Sequence, residues 1–456
     1  MARGRWAALG CFILCAVAYA ATAARGSGIS LDVMASDFGS WHLARTGRPW
    51  LDHADLPSRI ALNSHPETWL LTVHGHLVIG RSPGTIAVSL PAYWVFGHAR
   101  FSVTPSAVTA AGLTAAAVTL LLLALRRSTS LPLTLAACAV FAFATPIWSV
   151  AADGVYPHTL TVLGICGMAW AASTGRWWLV GVFGGVALWG RVIAALIVAV
   201  VGLHLGARQR NARITLKIAA GSTAALALLS VWTHWMYGTW KPTGSYESSV
   251  LQSHAAQSVV SVSNQLGIWV SPGRGILVWT PVVLVMLPGL VRSWSTLPDW
   301  SRTLFWAGLL YTVVHAMVNP FGGGTGFYGY RYGLEFIACA TPALGCSAVH
   351  VGRIGRVVIG PVIGVQLVEI ALGAISERHG SGFPDLWRTN FFLTELHRIG
   401  APGWGLVAIS ATLGLLAVQG ARHLAASRTE RAPGPADASA APVMLPRVPH
   451  SGHAAP

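Results

Sequence analysis

Residues 177–205 read WWLVGVFGGVALWGRVIAALIVAVVGLHL. Arg191 is the only Asp, Glu, Lys or Arg in these 29 residues, and it stands near their middle. Arg176 precedes the stretch, and Arg208, Arg210 and Arg213 follow it. A membrane-crossing helix needs about 20 apolar residues, so the stretch is too long for one straight span. Basic flanks mark cytoplasmic helix ends, and here both ends are basic. The pattern therefore predicts two short helices bent near Gly190-Arg191, entering and leaving on the same side.

The rest of the chain agrees with lipid as its solvent. Of 456 residues, 54% are hydrophobic and 10% charged, against about 25% charged in an ordinary soluble domain. Further spans are expected near 105–125, 131–150, 156–174, 214–235, 275–291, 303–319, 334–350, 355–373 and 403–421. The fold class is all-α: a polytopic transmembrane bundle of about ten to twelve spans. The net charge of +15 does not point to nucleic acid, because the basic residues sit in short clusters between apolar runs. All six cysteines fall inside apolar runs without a CxxC pair, as small buried hydrophobes do.

The apolar run 6–24 follows Arg3 and Arg5. It reads as an uncleaved first helix, with a cleaved signal peptide as the open alternative, since its end is alanine-rich. Either way residues 25–104 lie outside as a long first extracytoplasmic loop carrying short amphipathic helices. Within it, 83–97 is expected to be interfacial or re-entrant. The other outer loops are 151–155, 236–273, 320–333 and 374–402. Of fifteen acidic residues, only Asp299, Glu430 and Asp437 fall in the inner segments. Residues 1–424 form the transmembrane domain, and 425–456, rich in Ala, Pro, Ser and Arg, read as a disordered cytoplasmic tail.

An ionisable side chain at mid-bilayer costs at least about 2.5–3.5 kcal/mol, so it usually serves a site or a partner. Arg191, Glu335 and Glu369 are such residues. Asp153 and His158 stand at a helix–loop–helix corner, and Arg331 lies beside Tyr332 in a Gly- and Tyr-rich outer loop, four residues before Glu335. The plain reading of Arg331 and Glu335 is an i,i+4 ion pair. For Arg191 it is snorkelling or helix-dipole pairing. The functional reading is a polar, outward-facing cavity with a carboxylate base and with arginines that fork onto phosphate oxygens.

Four segments carry a resemblance. They are Ser36-Asp37-Phe38-Gly39 through Gly47; Gly80-Arg81-Ser82-Pro83-Gly84 running into Leu90-Pro91-Ala92-Tyr93; Asp153 to His158; and the late pair Ser271-Pro272-Gly273-Arg274-Gly275 through Pro281 and Gly322 through Tyr332. In their order the chain resembles the multi-spanning glycosyltransferases of the C superfamily (GT-C), especially bacterial relatives of the dolichyl-phosphate-mannose-type mannosyltransferases. The resemblance covers roughly residues 1–420 as a pattern of spans. It implies inverting transfer of a sugar from a polyprenyl-phosphate donor to a lipid, glycan or protein acceptor, in cell-envelope synthesis at the outer face of a bacterial plasma membrane. Asp37 would be the general base. Arg274 and Arg331 would hold the donor phosphate, assisted by Arg191, with Tyr332, Asp153, His158 and Glu335 in the binding site. Many relatives carry a second acid after the first, where this chain has Phe38. Asp32 and Asp55 are therefore competitors of Asp37, whose structural alternative is a helix N-cap before 38–46.

No cofactor beyond the lipid-linked donor is implied, and no metal ligand is assigned. A divalent metal stays open, because several histidines, including His74 and His76, crowd the first outer loop. Gly322 to Gly326 lacks the Gly-Lys-Ser/Thr ending of a phosphate loop. Trp41, Trp50, Trp69, Trp94, Trp148, Trp235, Trp240 and Trp269 suit an interfacial belt. Two rival functions remain. One is a secondary transporter or lipid flippase, which bent helices also suit. The other is a non-catalytic membrane partner of envelope biosynthesis.

Overall fold

A computed structural model describes residues 2–24, 29–97, 99–245, 261–376 and 385–430. Helices dominate. The first, α1 (Ala2–Thr22), is followed by a compact excursion: α2 (Leu31–Thr46), the single turn α3 (Ser58–Ala61), the strands β1 (Leu70–Val73) and β2 (His76–Ile79), and α4 (Pro83–Phe96). The body continues with α5 (Thr104–Leu125), α6 (Leu131–Phe143), α7 (Pro157–Ser173), α8 (Trp177–Gly190), α9 (Ala195–Arg208) and α10 (Ala212–Tyr237). The last third holds α11 (Val262–Val270), α12 (Ile276–Trp279), α13 (Val282–Ser293), α14 (Asp299–Val318), α15 (Leu334–Ser347), α16 (Arg353–Ser376), α17 (Phe391–Ile399) and α18 (Ala401–Glu430).

By length and composition α1, α5, α10, α16 and α18 can each cross a membrane. Shorter apolar helices, among them α6, α8, α13 and α15, pack between them. The chain is thus a mostly helical protein of membrane type. α18 continues to Glu430, past the start of the expected disordered tail, and residues 431–456 lie outside the described residues.

The expected bend is present. α8 ends at Gly190, Arg191 takes an extended conformation (φ −148°, ψ 119°), and a 3-10 turn leads into α9. α7 and α8 run antiparallel, with Gly164 and Gly167 against Phe183 and Ala187, and Gly190 against Pro157 and Thr161. α9 and α10 are tied by the Thr215 hydroxyl, which donates to the Gly202 carbonyl at 2.9 Å. The tip at residues 190–191 is therefore wedged between the start of α7 and α4. A Cβ on Gly84 would fall 2.4 Å from the Trp189 carbonyl oxygen, so only glycine admits α4 this close.

The bundle has two chemically different ends. At one, Arg127 donates to the Ser173 carbonyl (3.0 Å), Arg208 and Arg302 both pair with Asp299, and Arg292 lies against Gly352. These join the basic turns after α5, α7, α9 and α13. At the other, Asp153 accepts the Ala24 N–H (2.8 Å), Tyr156 donates to the Gly326 carbonyl (2.8 Å), and Tyr237 donates to the carbonyls of Ile79 (3.1 Å) and Arg81 (2.9 Å). The candidate residues lie at or just below this second end, Asp37 among them through its contact with Ser106 in the first turn of α5.

The excursion departs from the expected set of short helices by containing a hairpin. Val73 pairs with His76, and His74 (φ 51°) and Gly75 (φ 84°) make the two-residue turn. Two successive positive φ angles match the strand twist. His74 thus belongs to the turn, and His76 opens β2. The broken α12–α13 and the short α6, ended before Pro146, likewise replace two spans expected to be continuous.

Gly84→Val should force α4 off the tip of the α8–α9 pair. We expect a loss of about 1–3 kcal/mol, typical of overpacking, read as a lowered unfolding temperature of the detergent-purified protein. Unchanged stability would mean that α4 does not rest on Trp189.

Candidate functional site

The site begins at the first turn of α2. Ser30 caps this helix, its hydroxyl accepting the Asp32 N–H at 3.3 Å. A carboxylate here is favoured by the helix dipole. Asp32 Oδ1 accepts from Arg81 (2.8 Å) and from the Trp69 indole N–H (3.1 Å), and its Oδ2 accepts from Arg331 (2.8 Å). The Asp32 side chain remains 27% exposed, while those of Arg81 and Arg331 are nearly buried. One carboxylate at the mouth thus joins two guanidiniums from distant parts of the chain.

Arg331 is wrapped by the glycine-rich loop. Gly323 and Gly324 have φ of 68° and 85°, and a Cβ on Gly323 would sit 3.2 Å from the Arg331 Nε. This loop also supplies Phe327, whose ring lies 4.0 Å from the Arg274 guanidinium and 5.2 Å from that of Arg331. Arg274 donates to the carbonyls of Phe327 (3.3 Å) and Gly329. The Nε groups of Arg81, Arg274 and Arg331 are buried and make no hydrogen bond among the described residues. A buried unsatisfied donor costs about 1–3 kcal/mol.

The charge balance is uneven. Burial would raise the Asp32 carboxyl, but Arg81 and Arg331 hold it below the usual carboxylate range. The Arg274 guanidinium is also buried, on the Phe327 ring that it shares with Arg331. Two cations meet the one carboxylate of Asp32, with Arg274 beside Arg331, and an anionic ligand would relieve the excess.

A second group of charges lies beneath. His158 at the start of α7 donates from Nδ1 to Glu335 on α15 (2.7 Å), and Thr161 donates to the same carboxylate oxygen (2.8 Å). Arg191 contacts the His158 Nε2 at 3.2 Å. The Tyr332 ring lies between the levels, 5.1 Å from Arg191 and 5.2 Å from Arg331. Arg331 and Glu335 therefore do not form the i,i+4 pair that their spacing suggests; each has a partner from elsewhere in the fold. Arg191 is turned inward toward His158 rather than snorkelling.

Asp37 stands apart. It is mid-helix in α2, not an N-cap, because the helix begins six residues earlier. It is fully buried, accepts from the Ser106 hydroxyl on α5, and has an Oδ2 without a hydrogen bond. Burial raises its carboxyl well above the ordinary value. Asp153, also buried, holds the chain leaving α1. The structure thus brings together Arg191, Arg274, Arg331, Tyr332, His158 and Glu335. It gives the carboxylate position beside the arginines to Asp32 and adds Arg81 and Trp69. Arg81 lies within a quoted motif, so its basic side chain before a helix-starting proline was the available signal.

Among the described residues, no three His, Cys, Asp or Glu side chains gather to hold a metal. His42, His65 and His76 bond separately to the Trp50 carbonyl, Glu67 and Asp52. No protein-family model, curated protein or solved structure matches this chain.

The two aspartates of α2 should behave oppositely. A carboxyl raised on folding lowers stability as pH climbs from its unfolded value toward its folded one. Asp37→Asn should therefore raise the unfolding temperature at pH 7, and the gain should shrink as pH falls toward about 4. Asp32 is lowered on folding, so its contribution is complete at neutral pH and fades only below the usual carboxylate range. Asp32→Asn should lower the unfolding temperature equally at pH 7 and pH 5.5. Melting curves of both variants test this; a loss of stability in Asp37→Asn would sink the assignment.

Proposed function

We propose that this protein is a membrane glycosyltransferase that moves a sugar from a polyprenyl-phosphate donor to an acceptor hydroxyl. One observation carries the reading: two buried guanidiniums, Arg81 and Arg331, hold a single partly exposed carboxylate at one end of a helical membrane body, a third, Arg274, shares the Phe327 ring with Arg331, and the Nε–H groups of all three have no partner among the described residues. A phosphate ester offers several oxygens to such donors, and its prenyl tail can remain in the bilayer. The crossings of this reading are α1, α5, α6, α7, α10, α11–α13, α14, α15, α16 and α18, with α8–α9 as a re-entrant pair. The basic end is then cytoplasmic and the site extracytoplasmic.

In this reading Asp32, rather than Asp37, is the general base. The acceptor hydroxyl gives its proton to Asp32 as its oxygen bonds to the anomeric carbon. The bond from that carbon to the phosphate oxygen breaks, and its electron pair leaves with the polyprenyl phosphate. Arg274 and Arg331 hold the phosphate through both states, and Arg81 shares its charge with Asp32. A carboxylate paired with two arginines is a weak base. As phosphate draws the guanidiniums to itself, Asp32 gains basicity when the donor is in place.

The test uses purified protein with labelled polyprenyl-phosphate sugars and a panel of acceptor lipids and glycans. Asp32→Asn should reduce transfer by about 10²–10⁴-fold, the usual range for a general base. Arg331→Lys should also impair it, since lysine lacks the fork. Asp37→Asn should retain activity. Transfer undiminished in Asp32→Asn would overturn the assignment. The broken α8–α9 pair with Arg191 at its tip favours a transporter as the second reading. Counterflow of an intact phospholipid-linked sugar in proteoliposomes, with no glycosylated product, would establish that instead.

A further inference from the structure

The lower group of charges contains more than a buried ion pair. Arginine has only donors, so the 3.2 Å contact between Arg191 and the His158 Nε2 requires a lone pair on that nitrogen. The ring proton then sits on Nδ1, directed at Glu335 2.7 Å away. His158 is consequently neutral, with one tautomer imposed from both sides. Thr161 donates to the same Glu335 oxygen, leaving that carboxylate as acceptor in both contacts. Glu335 is fully buried, and an isolated buried carboxylate would be very costly. The imidazole links its negative charge to the positive charge of Arg191.

The link fixes the place of Arg191. Its backbone is extended between α8 and α9, so no helix sets the side-chain direction. The guanidinium lies against Tyr332, whose ring also neighbours Arg331, the cation paired with Asp32. Among the described residues, His315 and Tyr311 on α14 also face this spot; His315 packs on Tyr332 at 4.3 Å, and Tyr311 stacks on His315 at 5.6 Å. Through the His158 contact, Glu335 is linked to Arg191.

We propose that Glu335 and His158 are positioning residues that hold Arg191 beneath Tyr332 as a second cationic contact for the donor phosphate, on the membrane side of Arg331. This rests on the phosphate-binding reading given above. In this arrangement Arg331 grips the phosphate from the mouth and Arg191 from below. The prenyl ester oxygen is thereby directed toward the bilayer. Glu335 and His158 touch no substrate and act only through Arg191.

The experiment measures binding of farnesyl phosphate to the full chain in detergent by isothermal titration, with farnesol as the uncharged control. Wild type should prefer the phosphate. Glu335→Gln keeps the shape and both hydrogen-bond acceptor contacts but loses the charge. We expect it to bind farnesyl phosphate roughly tenfold more weakly, as for a lost charge-assisted contact, with farnesol binding unchanged. Arg191→Gln should lose a similar factor, and the double variant should lose no more than either single one. His158→Gln can donate toward Glu335 and accept from Arg191, so it should retain affinity that His158→Leu loses. This histidine pair decides the matter if Glu335→Gln does not fold. Wild-type affinity in Glu335→Gln or His158→Leu, with Arg331→Gln still impaired, overturns the positioning proposal and leaves the phosphate site standing. No preference of wild type for farnesyl phosphate over farnesol overturns the phosphate site itself, and this proposal with it.

Discussion

The structure depends on placing guanidinium groups inside an apolar body. Arg81 and Arg331 are almost fully buried, and Asp32 is the carboxylate that both bind. Removing a charge from water costs several kcal/mol, which only close pairing offsets. The Asp32 pairing therefore joins three parts of the chain: the start of α2, the segment after β2, and the glycine-rich loop before α15. Positive φ at Gly323 and Gly324 lets that loop close around Arg331. The architecture at this end follows from satisfying charges more than from packing apolar faces.

The two levels of the site solve the charge problem differently. At the mouth, one carboxylate serves two arginines directly and keeps contact with solvent. Below, Glu335 reaches Arg191 only through neutral His158. Tyr332 separates the levels with an aromatic face, which attracts cations on either side. Two guanidiniums can thus stand near one another without a carboxylate between them. Arg274 adds a further cation beside Arg331, on the shared Phe327 ring.

Much of the scaffold was legible in the sequence because its signals are local. Basic residues on both sides of residues 177–205, with a lone Gly-Arg at the centre, announce a bent pair. Clustered arginines mark one end of the bundle, and Asp153 to His158 and the Gly-Tyr loop mark the other. The assignment of the carboxylate was less legible, because it turns on where one helix starts. Asp32 and Asp37 are five residues apart on α2, about 140° around the helix, so they face different neighbours. With Ser30 as the cap, Asp32 faces the arginines and Asp37 faces α5. The hairpin was hidden for another reason: His74-Gly75 carries the turn signal, but two alternating histidines draw attention to metal chemistry first. Arg81 and Trp69 owe their place to that hairpin, whose register with α2 no local pattern reveals.

The low basicity of Asp32 in the resting site bears on how such a site avoids wasteful chemistry. A carboxylate already free to accept a proton would activate water at the mouth as readily as an acceptor hydroxyl. Held by Arg81 and Arg331, it is a poor base until another anion competes for those cations. In the proposed reaction a donor phosphate would be such a competitor, arriving attached to the sugar to be transferred. Phosphate bound between Arg331 and Arg274 would reduce the hold on one Asp32 oxygen while Arg81 and Trp69 keep the other oriented. Under this reading the same ion pairs that allow arginines to be buried also make the base depend on the donor. The binding of phosphate and the activation of the acceptor then become one event, set by a single carboxylate shared between two cations.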